Sequence, residues 1–307
     1  MSDLCVLTAS LLMQGKIPGW KVVEPPIASE RTHQAGQIDR LCHSRAVPRK
    51  TSPAIALHRP EFSRWAQKLA IQAMARPRSG SQLYAQRLAA LRHGQIYTRL
   101  PAHSFQNIWE TATQHPQHED WLKLLHYEAK AMADGQGSQR LNVLLGDSLA
   151  HRFPSEKLSR DRFWLNQGIP GDTTSGVLQR LSMLEQTNPD EIYLMVGIND
   201  LRQGKPHREI LINLQQIIQR LKAAHPDARI YVASVLPTRL EAIPADRIRR
   251  LNTNIAHLTH QAGVHFFNLQ PAFADQEGKL RVQLTTDGLH LNEHGYRVWQ
   301  VAMSPIF

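Results

Sequence analysis

The sequence has 307 residues, of which 42% are hydrophobic and 20% are charged, a balance typical of a globular protein. This length allows one large domain or two smaller ones. Every uninterrupted apolar run falls well short of the roughly 18 residues that a membrane-spanning helix needs, so we expect no transmembrane segment. The two cysteines, Cys5 and Cys42, are too few for a disulfide scaffold.

The formal net charge of +10 is concentrated at one end of the chain. Residues 1–100 hold 15 basic and 5 acidic residues, residues 101–140 hold 3 and 5, and residues 141–307 hold 18 and 16. Such an excess can indicate nucleic acid as a partner, but the basic part lacks interleaved aromatic residues and any recognisable binding motif. We therefore interpret residues 1–55 as a basic, flexible segment and predict no firm nucleic-acid partner. Salt-sensitive nucleic-acid binding by this segment stays a competing hypothesis.

An apolar stretch at residues 4–13 raises the question of a secretory signal. It is only ten residues long, Asp3 precedes it, and Lys16 and Lys21 follow it. A secretory signal carries its positive charge before the apolar part. We interpret the stretch as a short docking segment and expect a cytoplasmic location.

A helical period begins near residue 60, and residues 56–138 are predicted to be a helical extension. Four helices are expected, with their apolar faces at Phe62, Trp65, Leu69 and Ala73; at Tyr84, Leu88 and Leu91, before Gly94; at Phe105, Ile108 and Trp109; and at Trp121, Leu124, Leu125 and Met132, before Gly135. The histidines at 115, 118 and 126 fit no standard metal motif. The extension could serve as a lid, an oligomer contact or an independent domain, and the oligomeric state is open.

From residue 139 to residue 307, short apolar runs alternate with helical patterns. Strands are predicted at 141–145, 162–169, 191–198, 228–236 and 264–269, and helices at 175–186, 207–224, 245–262 and 293–303. This alternation predicts an α/β fold with a doubly wound, five-stranded parallel sheet. Ligands of such sheets bind at the carboxyl ends of the strands, where the winding reverses.

Residues with complementary chemistry follow the predicted strand ends. Ser148 comes after the first strand, and a serine hydroxyl needs a base before it can act as a nucleophile. His290 can supply that base, and Asp287 can orient its ring from three residues earlier. His294 lacks an acid at that offset, and His265 lies inside a predicted strand, so both are weaker candidates for the base.

Three donors near these strand ends could stabilise an oxyanion: the backbone N–H groups of Ser148 and Gly168 and the side-chain amide of Asn199. Each residue also has a purely structural explanation, namely a helix cap at Ser148, a tight turn at Gly168 and an ordinary turn at Asn199. We expect Asp147 and Asp200 to shape the turns, and Thr173 and Thr174, beside Asp172, to cap the following helix.

Four motifs in this order resemble the GDSL/SGNH hydrolase family: LLGDS at 144–148, NQGIPGD at 166–172, GIND at 197–200 and DGLH at 287–290. The resemblance covers residues from about 141 to 307 and leaves residues 1–140 outside it. It implies a flavodoxin-like sheet and a serine esterase or lipase of the EC 3.1.1 class. It also implies functional roles for Ser148, Gly168, Asn199 and His290, with Asp287 completing a catalytic triad.

The residues and the resemblance together predict a serine hydrolase that cleaves carboxylic esters through an acyl-enzyme. The substrate would be a small-molecule or polymeric ester, either a lipid or an acetylated carbohydrate. A thioesterase or lysophospholipase activity and a catalytically silent binding module on the same scaffold stay open as alternatives. We predict no metal and no cofactor, since this chemistry requires neither and the sequence has no G-x-G-x-x-G or P-loop motif.

Overall fold

The computed structural model describes residues 75–303. The predicted basic segment 1–55 and the predicted helix at Phe62, Trp65, Leu69 and Ala73 lie outside the described residues.

A five-stranded sheet forms the centre of the molecule. Its strands are β1 (Leu141–Gly146), β2 (Phe163–Gly168), β3 (Glu191–Met195), β4 (Arg229–Ala233) and β5 (His265–Phe267). All neighbouring strands are parallel, and their order is β2-β1-β3-β4-β5. The chain therefore reverses its winding direction beside β1, which confirms the predicted doubly wound α/β fold. This arrangement directs attention to the carboxyl end of β1.

Helices cover both faces of the sheet and one of its edges. In chain order, the helices of the described residues are α1 (Gly80–Arg92), α2 (Gln106–Trp109), α3 (His118–Gly135), α4 (Ser148–His151), α5 (Thr174–Gln179), α6 (Ile198–Arg202), α7 (His207–Ala224), α8 (Ala245–Ala262), α9 (Gln270–Phe273) and α10 (Glu293–Met303). None of the helices found between residues 75 and 303 is long and apolar enough to cross a membrane.

The two faces of the sheet carry two separate apolar cores. One core joins alternate strand residues such as Val143 and Leu194 to the buried sides of α3, α7 and α8. The other core joins Leu144 and Tyr193 to α4, α9 and α10. Side chains of a strand alternate between its faces, so each strand contributes to both cores. The sheet is therefore buried on both faces.

The helical region upstream of β1 packs on the free edge of β2. Thr98 donates its Oγ1 hydrogen to the carbonyl of Trp164 (2.7 Å) and Arg87 donates from Nη2 to the carbonyl of Asn166 (2.7 Å). Gln167 in turn donates from Nε2 to the carbonyl of Leu125 in α3, over 3.1 Å. An edge strand has unpaired backbone groups that must be covered or solvated. Side chains of this region satisfy the carbonyls of Trp164 and Asn166, and the predicted boundary at residue 138 stays a prediction.

An ion pair in the protein interior holds this helical region together. Arg87 of α1 is 0% exposed and donates from both Nε and Nη2 to the carboxylate of Glu128 in α3. The guanidinium also lies 4.5 Å from the ring centre of Tyr97. A buried charge is tolerated only when it is paired and hydrogen-bonded, so α1, α3 and the Tyr97 turn depend on one another.

Several elements are shorter than the sequence predicts. The expected helix 175–186 is divided into α5 and a 3₁₀ turn at Leu181–Leu184, because Arg180 between them turns inward and donates to the carbonyl of Gly146 (3.0 Å). The third strand ends at Met195 instead of Ile198, since Gly197 adopts a φ of 127° and starts α6. The expected helix around Phe105 is the single turn α2.

Candidate active site

Ser148 lies at the carboxyl end of β1, where the strand passes directly into α4. Asp147 caps this helix by accepting a hydrogen bond from the Leu149 N–H (2.9 Å). Gly146 lies so close to β3 that a Cβ at this position would be 1.9 Å from the carbonyl oxygen of Met195, so only glycine fits. The serine is 7% exposed. The turn therefore places the Ser148 hydroxyl at the carboxyl end of the sheet, and the buried residues around the turn hold it in position.

His290 approaches Ser148 from a loop 142 residues further along the chain. Its Nε2 lies 3.2 Å from Ser148 Oγ, and its Nδ1 lies 2.7 Å from Asp287 Oδ2. The Asp287 Oδ1 atom accepts the backbone N–H groups of Leu289 and His290, and Gly288 takes a φ of 84° in this turn. Serine, histidine and aspartate thus form a continuous hydrogen-bonded series.

The charge of Asp287 is favoured by its partners. Partial burial acts to raise the pKa of this carboxyl, but the hydrogen bonds from the His290 ring and from two backbone N–H groups outweigh it and lower the pKa to about 2. Asp287 is therefore an anion near neutral pH. An anion at Nδ1 places the proton of neutral His290 on that nitrogen and leaves Nε2 free to accept the serine proton.

Asn199 lies in the first turn of α6, after β3. Its Nδ2 donates to the carbonyl of Asp172 (2.9 Å), and its Oδ1 accepts from Arg202 Nη1 (3.1 Å). These two bonds fix the orientation of the amide. An amide nitrogen carries two hydrogens, so one hydrogen is left over after the bond to Asp172. The structure brings this amide to the loop that follows β2.

The backbone N–H of Gly168, which the sequence predicts as an oxyanion donor, already has a hydrogen-bond acceptor. This N–H donates to the side-chain Oδ1 of Asn166 (2.9 Å). A Cβ at this position would lie 2.2 Å from the backbone nitrogen of His151, so the glycine is explained by the packing of α4 against β2. The prediction for Gly168 remains a prediction, and its hydrogen bond to Asn166 weighs against it.

Gly171 is a residue that the sequence analysis did not single out as a donor. It has a φ of 82° and is exposed, and open space surrounds the position of a Cβ. Its neighbour Asp172 provides the carbonyl that Asn199 binds. Among the backbone hydrogen bonds of the described residues, none involves the Gly171 N–H. In the sequence, the signal for this residue is its place in the NQGIPGD motif at 166–172.

Three buried carboxylates lie beneath the site, with one buried arginine among them. Arg180 donates from Nε to Asp172 Oδ2 (2.7 Å), and Asp200 accepts the N–H and Oγ1 of Thr174 (2.9 and 2.6 Å). Asp147 Oδ2 is buried and lacks a hydrogen-bond partner within the described protein. Burial, together with repulsion from Asp172 and Asp200, raises the pKa of Asp147 to about 7. These carboxyls shape the turns, as the sequence predicts for Asp147 and Asp200.

Other residues behave in ways the sequence does not predict. Thr173 caps α5 by accepting the Gly176 N–H, as expected, whereas Thr174 binds Asp200 instead. His118, expected only at a solvated helix start, lies 3.2 Å from Asp172 Oδ1 through its Nε2. Within residues 75–303, no hydrogen bond connects His265 or His294 to Ser148, and the ring of His265 stacks on Tyr231.

The sequence and this geometry can be compared with known proteins. The model of the GDSL-like lipase/acylhydrolase family matches residues 131–298, more than half of the chain. The matched part contains all five strands of the sheet and the residues Ser148, Asn199, Asp287 and His290.

Curated relatives match the same part of the chain. The platelet-activating factor acetylhydrolase IB subunit alpha1 of Bos taurus is 30% identical over 184 residues, which cover 57% of this chain and 77% of that protein. The subunit alpha2 of Rattus norvegicus is 28% identical over 165 residues, which cover 50% and 70%.

Solved structures share the fold. A protein of Streptococcus pneumonia provisionally assigned as a platelet activating factor is 26% identical, with a TM-score of 0.55, and the match covers 61% of this chain and 95% of that one. A GDSL-like lipase of Bacteroides thetaiotaomicron is 20% identical, with a TM-score of 0.53, and the match covers 60% and 96%. Both matches leave more than a third of this chain without a counterpart.

Proposed function

This chain belongs to the GDSL-like lipase/acylhydrolase family and is an ester hydrolase, and we propose that it cleaves its substrate through an acyl-enzyme on Ser148. The observation that carries the proposal is the series of contacts from Ser148 Oγ to His290 Nε2 (3.2 Å) and from His290 Nδ1 to Asp287 Oδ2 (2.7 Å). Distances of this size are within reach of proton transfer between a nucleophile and its base.

In the first half of the reaction, Ser148 Oγ attacks the carbonyl carbon of the ester while His290 Nε2 takes the serine proton. Asp287 stabilises the imidazolium that forms. The C–O bond to the alcohol then breaks, and His290 returns the proton to the departing alcohol. In the second half, His290 deprotonates a water molecule that attacks the acyl carbon, which releases the acid and restores the Ser148 hydroxyl.

The negative charge that develops on the carbonyl oxygen needs hydrogen-bond donors. We propose that the Ser148 N–H and the second hydrogen of Asn199 Nδ2 supply two of them. For the third donor we favour Gly171 over the sequence-based choice of Gly168, because the Gly168 N–H is taken by Asn166. The Gly171 N–H belongs to the residue next to Asp172, whose carbonyl binds Asn199.

For the substrate we propose a short-chain ester of a lipid-type alcohol. The support comes from the curated relatives, which are acetylhydrolases of platelet-activating factor, a lipid. An acetylated carbohydrate is the competing substrate class. A p-nitrophenyl ester series from acetyl to palmitoyl tests the acyl length, and acetate release from 1-acetylglycerol, run beside release from acetylated xylan, tests the alcohol. Acetate release from xylan that exceeds release from 1-acetylglycerol would favour the carbohydrate.

The catalytic role of Ser148 is tested by Ser148→Ala. We expect the kcat for p-nitrophenyl acetate to fall by at least about four orders of magnitude, and covalent labelling by a fluorophosphonate probe to disappear. Ser182→Ala is the matched control, because Ser182 is exposed on the 3₁₀ turn after α5. Undiminished hydrolysis by Ser148→Ala would overturn the mechanism. A wild-type protein that neither hydrolyses esters nor accepts the probe would instead be a silent binding module.

A further inference from the structure

A cavity of about 260 Å³ is lined by residues that neighbour the catalytic candidates in the chain, not by the side chains of Ser148 and His290 themselves. Part of its wall comes from the residues that follow the two catalytic candidates in the chain, namely Arg152 and Phe153 after α4 and Leu291 and Asn292 after His290. The opposite wall is formed by residues between Arg76 and Ala102. This second wall lies upstream of the part that matches the family, so the cavity is a property of this chain's own helical region.

The upstream wall is fastened to the catalytic part by ion pairs across the cavity. Arg76 donates from Nη1 to Glu156 (3.2 Å) and from Nη2 to Glu293 (3.0 Å). At the other end of the wall, Gln86 donates from Nε2 to the carbonyls of Ala102 and Ser104. Together with the buried Arg87–Glu128 pair, these contacts hold the wall in place before any substrate arrives.

The electrostatic balance of the cavity is positive. Both glutamates are engaged by Arg76, and Glu293 also lies 3.7 Å from Arg297. The guanidinium groups of Arg78 and Arg152 are exposed at the rim and form no ion pair or hydrogen bond with the described residues. Burial, with Arg87 and Arg152 nearby, lowers the pKa of His151 to about 3 and keeps that ring neutral. The charged lining, three arginines against two glutamates, therefore carries a net charge of +1.

The shape and lining of the cavity limit what can enter. Leu83 and Phe153 provide apolar surface between the charged groups, and the volume is slightly below the roughly 300 Å³ at which pockets for drug-sized ligands begin. A short carbon chain carrying one anionic group fits this description. The N-terminus of α1, whose first turn has no acidic residue, adds partial positive charge at the same place.

We propose that this cavity binds an anionic phosphate or carboxylate on the alcohol part of the ester, with Arg78 and Arg152 as its charged partners. This inference rests on the proposed function, since it concerns the substrate of the Ser148 site. Guanidinium groups pair with phosphate and carboxylate oxygens through two parallel hydrogen bonds. The helical region, through Arg78, and the family part, through Arg152, would then select the leaving alcohol together.

The test compares two soluble esters that differ in one group, 1-acetylglycerol and 1-acetylglycerol 3-phosphate. We expect the wild-type protein to prefer the phosphorylated ester about tenfold in kcat/KM at low salt, and the double variant Arg78→Gln/Arg152→Gln to lose that preference, mainly through KM. Raising the salt concentration should reduce the wild-type preference, because the rim is exposed. The control Arg220→Gln removes an exposed arginine of α7 and should leave the ratio unchanged.

A second measurement separates this inference from the proposed function. Inorganic phosphate should bind the wild-type protein in a calorimetric titration, and the double variant should lose that binding. If the two esters had nearly equal kcat/KM values with the wild-type protein, or if the double variant kept the wild-type ratio of these values, the inference would be overturned while the esterase mechanism stayed intact. If neither ester is hydrolysed and the fluorophosphonate probe fails, the proposed function is wrong, and the phosphate titration alone decides whether the cavity is an anion site.

Discussion

Two edges of the same sheet carry buried polar groups, but they are built in opposite ways. At the carboxyl edge, Ser148, Asn199 and His290 come from short motifs that each follow a strand or precede a helix. At the outer edge of β2, Arg87 binds Glu128 and the carbonyl of Asn166 at separations of 41 and 79 residues, with no local motif. The first edge is organised for chemistry, and the second edge for holding the helical region to the sheet.

The exposure of the charged groups at the two edges differs as well. The side chain of Asp287 is 51% exposed, whereas that of Glu128 is 2% exposed. Water can solvate an altered Asp287, but it cannot reach Arg87 once its partner is removed. Substitution of Asp287 should therefore change rates with little effect on stability, and substitution of Glu128 should do the opposite.

The largest effect is expected for Asp287→Asn. Without the carboxylate, neither the Nδ1–H tautomer of His290 nor its charged form is stabilised, and kcat should fall about a thousandfold. The melting temperature should change little, because the position is half exposed. Asp275→Asn is the control, since Asp275 also accepts backbone N–H groups in an exposed turn. A kcat within a factor of three of wild type would exclude Asp287 from the relay.

At the other edge, Glu128→Gln should lower the free energy of unfolding by about 3 kcal/mol, because it leaves the charge of Arg87 buried without a counterion. Urea denaturation measures this change. Lys130→Gln on the same helix is the control, since the Lys130–Asp134 pair is exposed and should contribute well under about 1 kcal/mol. Equal losses in the two variants would show that burial of the pair is unimportant.

Asn199→Ala should reduce kcat about a hundredfold while KM stays near its wild-type value, because an oxyanion donor acts mainly in the transition state. Steady-state kinetics with p-nitrophenyl acetate distinguishes the two parameters. Asn254→Ala, on the exposed side of α8, serves as the control. If Asn199→Ala raised KM and left kcat intact, the residue would bind substrate and would not stabilise the oxyanion.

The smallest effect concerns Asp147, whose pKa burial raises from 3.8 to about 7. Between these values the folded protein binds the proton more strongly than the unfolded chain. The stabilising contribution of the protonated Asp147 carboxyl is therefore complete below pH 4 and is lost as the pH rises to 7. Asp147→Asn cannot titrate, so its stability relative to wild type should increase by on the order of 2 kcal/mol between pH 4.5 and 6.5. If the free energies of unfolding of Asp147→Asn and wild type changed equally with pH across this range, the raised pKa of Asp147 would be contradicted.

The sequence allows the sheet and its site motifs to be predicted because their signals are local. Apolar runs of strand length alternate with amphipathic helices, and α7, α8 and α10 begin and end at the predicted residues. The GIND motif and the DGLH motif each specify a turn within four residues. Since parallel strands end at one edge, local turns and strand order together predict that Ser148, Asn199 and His290 lie near one another.

Only the tertiary structure decided which backbone N–H groups lack a hydrogen-bond acceptor and which residues surround the site. Gly168 ends β2 and Gly171 lies three residues later in the following loop, and the Asn166 side chain accepts the N–H of Gly168 but not that of Gly171. The contact of His118 with Asp172, the Arg87–Glu128 pair and the cavity between Arg78 and Arg152 join segments far apart in the chain. Periodicity and short motifs report the conformation of neighbouring residues, whereas these contacts depend on how complete elements pack, which no local pattern encodes.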